Sequence, residues 1–440
     1  MSTSWQDCHG VSWSFSLYNC FGRPGRSYLY PVLFLSFMKF AHLADVHVGA
    51  WRDPKLAALP DRAFDLAVST SLEEEVDFIV IAGDLFNTAL PGMDHLRAAV
   101  RSLQRAKEAG VPVYVIPGSH DFSPSGKSML HVLEEAGLLV DVFKGEIVDG
   151  RLRLSLTRDE KTGAVLTGVL GRRGMLERRE YEDLDKGWLS TRLPSEKPKV
   201  FLFHTSLSEL KPKELGQMES SPVSMMPPGF DYYAGGHVHV TEEVSLDGYP
   251  HVVYPGPLFP ASFSELEKLG RGGMVVVEDG VPRRVPLELK RVVSISVVAR
   301  GERPEDVSER LREAVKGKEV EDAIVLLRVS GTLVQGTARQ VDVRGVMASL
   351  RDRGAYAVLR NTSGLRAEQA EAVEVEEAST EAIEERVLKA SLNGSAPFED
   401  QVSVARSLLH GLGLEKAEGE TNASYDERVV SEAKRLLGIE

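Results

Sequence analysis

Short apolar runs alternate with helical stretches along the chain from Met38 onward. KFAHLA precedes a helical stretch near residues 61–75, and DFIVIAG precedes a second one over 93–109, which VPVYVIPG follows. The apolar runs lack a strict alternation of apolar and polar positions, which is typical of strands buried on both faces. The pattern predicts an α/β fold in which helices cover a sheet. Further strands are predicted at 140–143, 151–156, 164–169, 199–203, 231–235 and 251–254.

The pattern changes near Pro286. RVVSISVVARG, a helical stretch over 304–315, DAIVLLRVSG, a helical stretch over 343–353 and AYAVLRN follow one another. This β-α-β-α-β order is sufficient for a small separate domain.

The last part of the chain is acidic and helical. Residues 368–385 are rich in acids and poor in aromatics, which indicates a linker or an exposed helix. Two or three amphipathic helical segments follow, and the last opens with Ser424-x-x-Glu427, a capping-box pattern. An apolar stripe on that helix must be buried on its own domain or on a partner. The stripe comprises Val429, Val430, Ala433, Leu436 and Leu437.

Composition places the chain among globular proteins. Its 440 residues suggest two or three domains, and 42% apolar with 27% charged residues is ordinary. No apolar run approaches the roughly 18 to 20 residues that a membrane span needs. The two cysteines, Cys8 and Cys20, stand near the start, so a disulfide framework or a cysteine zinc site is excluded for the rest. We therefore expect a location in a reducing cytoplasm and no membrane association.

Residues 1–37 differ from the rest, because they have almost no charge and end in the apolar run YLYPVLFLSF. A signal peptide is one interpretation, but a basic n-region is missing and a proline interrupts the run. The favoured interpretation is an upstream-start artefact or a disordered leader, with Met38 as the working start.

Charge is distributed unevenly. The formal net charge is −13, and the 17 acidic and 8 basic residues between Arg366 and Glu440 account for −9 of it. The larger part of the chain is therefore almost neutral, and a local basic face on it remains compatible with the composition.

Five short polar motifs stand at the ends of predicted strands, where an open α/β sheet gathers its ligand site. Imidazole and carboxylate together suit manganese, iron or zinc better than calcium or magnesium alone. On an extended chain, Asp-x-His and His-x-His place both side chains on one face. The motifs are Asp45-Val46-His47, Gly83-Asp84, Gly118-Ser119-His120-Asp121, His204 and Gly236-His237-Val238-His239.

Each motif alone has an ordinary explanation. A Gly-Asp pair is usually a turn, and a histidine at a strand end is more often structural than a ligand. As an ordered set, the motifs supply ligands for two ions that share one carboxylate. Two metals about 3.5 to 4 Å apart can hold a phosphate, lower the pKa of a bound water and stabilise a leaving oxygen. The residues therefore predict a dinuclear phosphoesterase.

In this order the motifs resemble the calcineurin-like metallophosphoesterase superfamily. Within it, MKFAHLADVHVG, DFIVIAGDLF and YPGPLFPASFSELE resemble the DNA double-strand-break repair nucleases called meiotic-recombination-eleven or SbcD. The resemblance covers most of the chain from Met38. It implies a sandwich of two mixed sheets flanked by helices, a small α/β capping domain and a C-terminal helical tail. The implied division is a leader at 1–37, a nuclease domain at 38–288, a DNA-binding capping domain at 289–365, and an acidic linker with a helical tail at 366–440.

The resemblance also implies roles for the motif residues. Two divalent ions, Mn²⁺ above all, are expected, and His120 is the expected catalytic histidine, oriented by Asp121. Asp121 as a plain turn-capping carboxylate is an equal alternative. Asp45, His47 and His239 would hold one ion, His204 and His237 the second, Asp84 would bridge both, and Ser119 stands in the corner.

Two positions depart from the family pattern. Ser119 replaces the usual asparagine of the corner, so the second ion is expected to bind more weakly or with a water in the gap. Asn87 stands where many relatives have a further histidine, which bears on the nuclease rate.

DNA contact is expected from basic residues outside the metal motifs, although a charge run is usually a solvated face. Arg172, Arg173, Lys211 and Lys213 are the main candidates, and Arg178, Arg179, Arg283 and Arg284 are further ones.

The implied function is double-strand exonuclease and single-strand endonuclease action on DNA ends. The implied partners are DNA ends, a second copy of the chain bound through helices of the first domain, and a Rad-fifty or SbcC type ATPase. The ATPase would bind the C-terminal helices, and self-packing of those helices is the alternative. Two other functions stay open: a phosphatase or phosphodiesterase on small substrates, and a catalytically impaired subunit that tethers DNA ends.

Overall fold

The computed structural model describes residues 38–122, 128–211, 219–334, 336–367, 401–412 and 422–437. These residues divide into two compact units. The first unit ends at Leu289 but omits 262–271, which pack with the second unit. The predicted nuclease domain at 38–288 includes 262–271, because position along the chain does not show which core a short helix packs against. The leader at 1–37 and the acidic stretch at 368–385 lie outside the described residues.

The first unit contains five α-helices and fourteen strands among the described residues. Its strands are β1 Lys39–Leu43, β2 Phe78–Ala82, β3 Val113–Ile116, β4 Val140–Asp141, β5 Gly145–Val148, β6 Arg151–Leu154, β7 Thr157–Arg158, β8 Val165–Val169, β9 Lys199–His204, β10 Tyr232–Gly236, β11 Thr241–Leu246, β12 Tyr249–Pro255, β13 Gly272–Glu278 and β14 Val281–Leu287. Its helices are α1 Pro54–Glu73, α2 Met93–Glu108, α3 Met129–Glu135, α4 Arg178–Asp183 and α5 Lys186–Ser190.

Twelve of these strands form two six-stranded mixed sheets, and β5 and β6 pair with each other in a separate antiparallel sheet. The orders of the six-stranded sheets are β14-β13-β1-β2-β3-β4 and β11-β12-β10-β9-β8-β7. In the first sheet β1 to β4 run parallel, and in the second β8, β9, β10 and β12 do. Parallel neighbours bring their C-terminal ends to the same edge of a sheet, which is where the polar motifs follow.

One apolar core lies between the two sheets. Phe40 of β1 stacks on Phe78 of β2 with ring centroids 5.1 Å apart, and Tyr232 of β10 meets Phe40 edge-on. Leu166 and Leu202 from the second sheet join the same buried cluster. Every residue of β2, β3, β8 and β10 is buried, which confirms that these strands are covered on both faces.

Helices cover the outer faces of the sandwich. Asp53 caps α1 by accepting from the backbone N of Lys55 and of Leu56, and α1 packs against α2. On the second sheet, Tyr181 of α4 and Leu189 of α5 pack into a buried cluster with Phe203. The predicted sandwich of mixed sheets flanked by helices is therefore present.

The second unit has its own parallel sheet. Its elements are α6 Phe263–Leu269, β15 Val292–Glu302, α7 Pro304–Val315, β16 Ile324–Leu333, α8 Val343–Asp352, β17 Ala357–Asn361, β18 Leu365–Ala367, α9 Gln401–Leu412 and α10 Asn422–Leu437. The predicted β-α-β-α-β order is observed from β15 to β17. Arg328 of β16 binds Glu267 through two nitrogens and stacks on Phe263, which fixes α6 to this sheet.

The tail helices α9 and α10 contact each other. Helix α10 begins at Asn422, so Ser424 lies inside its first turn and not at the N-cap. The capping-box prediction, with Ser424 as the N-cap, placed the start three residues late, because the ends of helices are the positions least determined by local pattern. No helix among the described residues has the length and apolar character that crossing a bilayer demands.

Candidate metal centre

The polar motifs stand at or directly after the C-terminal ends of β1, β2, β3, β9 and β10. Asp45 and His47 come after β1, which ends at Leu43. Their φ angles are 49° and 48°, in the left-handed region that non-glycine residues rarely adopt. The expectation that an extended chain aligns Asp45 with His47 is therefore wrong about the local conformation.

The same conformation recurs at three more residues of the site. Asp84 has a φ of 54°, His237 of 96° and His239 of 54°. Residues persist in sparsely populated backbone conformations where surrounding contacts hold them, and such residues gather at functional sites. The turns after the strands therefore orient these five candidate ligands, whereas His204 is the last residue of β9 itself.

Asp84 lies at the middle of the site. Its Oδ2 is 3.3 Å from Nε2 of His204 and 3.8 Å from Nε2 of His47. The same oxygen accepts a hydrogen bond from Ser119 Oγ at 3.4 Å, and Oδ1 accepts from the backbone N of His120 at 2.7 Å. The Asp84 carboxylate, which follows β2, thus contacts residues at the ends of three other strands, β1, β3 and β9.

Three overlapping groups of side chains have ligand atoms within 4.8 Å of one another. The groups are Asp45 with His47 and His239, His47 with Asp84 and His120, and Asp45 with Asp84 and His204. Nδ1 of His47 is buried and makes no hydrogen bond to any described residue, and Nε2 of His204, 3.3 Å from Asp84 Oδ2, is buried too. Imidazole and carboxylate donors packed this closely fit divalent ions.

His237 takes a different place from the other expected ligands. Its ring centroid lies 5.1 Å from that of His204, and its backbone N donates to Asp45 Oδ1 at 2.9 Å. Its ring nitrogens are outside the three groups found among the described residues.

Electrostatics couple the buried groups. Burial alone would lower the pKa of His204, but the Asp84 carboxylate raises it to about 10. Burial opposes ionisation of Asp84, yet His204 holds the pKa of that carboxyl well below its usual value. Burial lowers the pKa of His47 and of His237 to about 3, which keeps these imidazoles neutral, the form that binds metal ions.

Comparison with known proteins matches this site to one family. Residues 38–241 match the calcineurin-like phosphoesterase family, and the fold and the ligand groups described above agree with that match. This part of the chain is a calcineurin-like phosphoesterase domain. It is therefore a hydrolase, and the recognition made from the motif order is confirmed.

Three relatives of this phosphoesterase carry the name DNA double-strand break repair protein Mre11. The protein of Archaeoglobus fulgidus is 28% identical over 421 residues, which cover 90% of this chain and 89% of the relative. That of Methanopyrus kandleri is 31% identical over 304 residues, covering 63% and 62%. That of Methanococcus maripaludis is 28% identical over 252 residues, covering 54% and 61%.

The corner after β3 holds His120 of this phosphoesterase in one orientation. Nδ1 of His120 lies 2.8 Å from the backbone carbonyl oxygen of Asn87 and donates to it. Asn87 replaces a histidine side chain of the family pattern, but its contact with His120 is made by its backbone carbonyl. No feature of the sequence indicated this contact.

Asp121 stabilises the corner itself. Its carboxylate accepts hydrogen bonds from the backbone N atoms of Leu85, Phe86 and Gly118, at 3.2, 3.0 and 2.9 Å. Burial, with the charge of Asp84 adding to it, raises the pKa of Asp121 to about 7. Both oxygens are directed at backbone amides, so the expectation that Asp121 orients the His120 imidazole is corrected in favour of turn capping.

The arginines expected to contact DNA differ in their partners. Arg172 pairs with Glu180 at 2.9 Å, Arg178 with Glu182 at 3.0 Å and Arg179 with Asp183 at 3.6 Å. Arg173 instead donates from Nε to the backbone carbonyl of Ser119 at 3.3 Å, which places it beside the metal centre.

Of the remaining basic candidates, Arg283 has an acidic partner. Arg283 pairs with Glu74 at 2.9 Å. Lys211 is the last described residue before a gap, and Lys213 lies outside the described residues. The structure thus brings one of the predicted basic residues, Arg173, to the metal centre.

Proposed function

We propose that the chain is a metal-dependent DNA nuclease subunit that processes double-strand breaks. The observation that carries the proposal is the set of ligand atoms gathered around Asp84, in a chain that spans 89% of a relative named as a break-repair protein. The proposed activities are exonuclease action on duplex ends and endonuclease action on single strands, in the cytoplasm.

The proposed metal centre holds two divalent ions, with Mn²⁺ as the expected metal. Asp45, His47 and His239 would hold one ion, His204 and His237 the other, and Asp84 both, with Ser119 at the corner. When bound, the ions supply charge stabilisation for a phosphate and activation of a water. Ser119 Oγ lies 3.4 Å from Asp84 and supports a role in positioning that carboxylate.

His120 is the proposed catalytic residue. Because Nδ1 donates to the Asn87 carbonyl, Nε2 is the nitrogen that exchanges a proton with the substrate. A protonated His120 would donate from Nε2 to the leaving oxygen of the phosphodiester. The ring lies edge-on to His47, with centroids 5.0 Å apart, which supports a place beside the reacting phosphate.

Exposed apolar residues of the tail support one of the proposed partners. Leu409 and Leu412 of α9 and Val430 of α10 are 59%, 50% and 53% exposed, which supports binding of an ATPase of the Rad-fifty or SbcC type to the tail. Deleting 389–440 is expected to abolish ATPase co-purification while the phosphoesterase unit stays folded. The homodimer is proposed to form through helices of the first unit. Arg172, Arg173, Lys211, Lys213 and the second unit are proposed to bind DNA.

The test is Mn²⁺-dependent cleavage of an end-labelled duplex by protein beginning at Met38, with bound metal counted. Cleavage with two ions per chain that disappears in His120→Ala supports the nuclease. Turnover of a small phosphodiester without DNA cleavage would favour a small-substrate phosphodiesterase. Tight DNA binding with one ion or none and no cleavage would favour a tethering subunit, with Ser119 as the first cause to examine.

A further inference from the structure

The loop from β8 to α4 lies against the metal centre. A Cβ atom on Gly171 would lie 2.3 Å from Cδ2 of His204, so the backbone here passes directly over that ring. Met175 has a φ of 57°, which a residue with a side chain rarely adopts. A backbone in this state needs contacts that hold it. We call residues 171–177 the clamped segment.

Glu177 supplies those contacts. Its side chain is buried, with the residue 1% exposed. Oε2 accepts from the backbone N of Arg172 at 3.1 Å, and Oε1 accepts from Thr205 Oγ1 at 2.8 Å. Burying a carboxylate is unfavourable unless its oxygens are hydrogen-bonded, and both are bonded here. One carboxylate thus ties the start of the clamped segment to the residue that follows His204.

Arg173 depends on this tie. Arg173 directly follows Arg172, whose backbone N donates to Glu177. The Arg173 guanidinium donates to the backbone carbonyl of Ser119, in the corner that also contains His120. The neighbouring Arg172 is engaged by Glu180 on the surface of α4. Arg173 is therefore the arginine of this segment whose position at the metal centre depends on the clamp.

We propose that Glu177 is a positioning residue for phosphate recognition. Its carboxylate holds the clamped segment on the end of β9, so that the Arg173 guanidinium stays beside the Ser119 corner and neutralises a backbone phosphate of the DNA. This inference rests on the proposed function and adds to it a residue that acts through another. Nothing in GRRGMLERRE distinguishes Glu177 from the other charged residues, because its burial is decided by Thr205, 28 residues away.

The test is the salt dependence of equilibrium binding of a duplex end, measured on the full chain without added metal. Loss of one phosphate contact reduces the slope of log K against log salt by about 0.9 for B-DNA. Glu177→Ala and Arg173→Ala are each expected to give that reduction. The double variant is expected to give no further reduction, because both changes remove the same contact.

Conservative and matched variants separate positioning from charge. Glu177→Gln is expected to keep the wild-type slope, because its carbonyl accepts from Arg172 N and its amide donates to Thr205 Oγ1. Glu146→Ala removes one exposed acid from β5 and is expected to leave the slope unchanged.

An unchanged slope in Glu177→Ala, with only a lower melting temperature, would overturn the inference and leave Glu177 a structural residue. If that variant does not fold, Thr205→Val breaks the same tie with similar shape and is expected to show the same reduced slope; a wild-type slope there also overturns the inference. A wild-type protein that neither binds nor cuts DNA overturns the proposed function itself, which is a separate result.

Discussion

Gly118 is the position where the smallest change should most disturb the metal centre. A Cβ atom there would lie 2.2 Å from the backbone N of Asp84 and 2.2 Å from its Oδ1. Cβ contacts below 3.0 Å essentially do not occur, so Asp84 or the corner must move by close to 1 Å. The φ of Gly118 lies outside the left-handed region, so space alone excludes alanine.

The expected effect of Gly118→Ala follows from that displacement. A misplacement of about 1 Å at a reacting centre lowers rate by roughly 10²-fold, about 2.7 kcal/mol in the barrier. Asp84 is the proposed bridging ligand, so the variant should also bind less metal. Steady-state cleavage of an end-labelled duplex and metal content per chain measure the two effects.

Gly187→Ala is the matched control, because its Cβ would meet only Asp185 Oδ1 at an ordinary 3.8 Å. We expect wild-type cleavage and metal content from it. A Gly118→Ala protein with kcat within about threefold of wild type and full metal content would refute the argument that the corner sets the position of Asp84.

Three further predictions concern stability. Burial lowers the pKa of His42 to about 3, so the unfolded state binds the proton first and stability is lost as pH falls from 6.5 towards 3. When the pH is lowered from 7.5 to 4.5, the free energy of unfolding measured in urea should fall by about 2.7 kcal/mol more for the wild type than for His42→Asn. Equal decreases in the two proteins would contradict this prediction. The Tyr254 hydroxyl bonds two backbone groups of the segment after β9, so Tyr254→Phe should lower the free energy of unfolding by about 1–3 kcal/mol, and a change near zero would count against it. Glu267→Gln weakens the partly exposed ion pair with Arg328, so it should lower the free energy of unfolding of the second unit by about 1 kcal/mol, seen as a lower melting temperature. An effect that does not change with salt concentration would argue against an ion pair.

The second unit shows how far local pattern reaches. The helix predicted over 304–315 is observed at Pro304–Val315, where Pro304 opens the helix and Glu305 and Asp306 follow in its first turn. The information for that element lies in adjacent residues, so the sequence is sufficient. The membership of 262–271 is not local, because it depends on Arg328, which lies 61 residues from Glu267.

For the metal centre, the identity of the candidate residues could be predicted from the sequence, whereas their orientation could not. Because hydrophobic runs and the motifs after them are contiguous, the residue types that stand after each strand can be predicted from the chain alone. Asp45, Asp84, His120 and His204 are candidates predicted in this way.

The orientation of those side chains depends on tertiary contacts. The left-handed backbone of His47, the Asn87 carbonyl that holds His120, and the three amides that occupy Asp121 all depend on contacts between separate strand ends. The burial of Glu177 depends on such a contact as well. Secondary structure depends on the periodicity of apolar residues over a short segment, which the sequence shows directly. The conformation of a turn and the partner of a buried polar group depend instead on the residues that the fold places beside them.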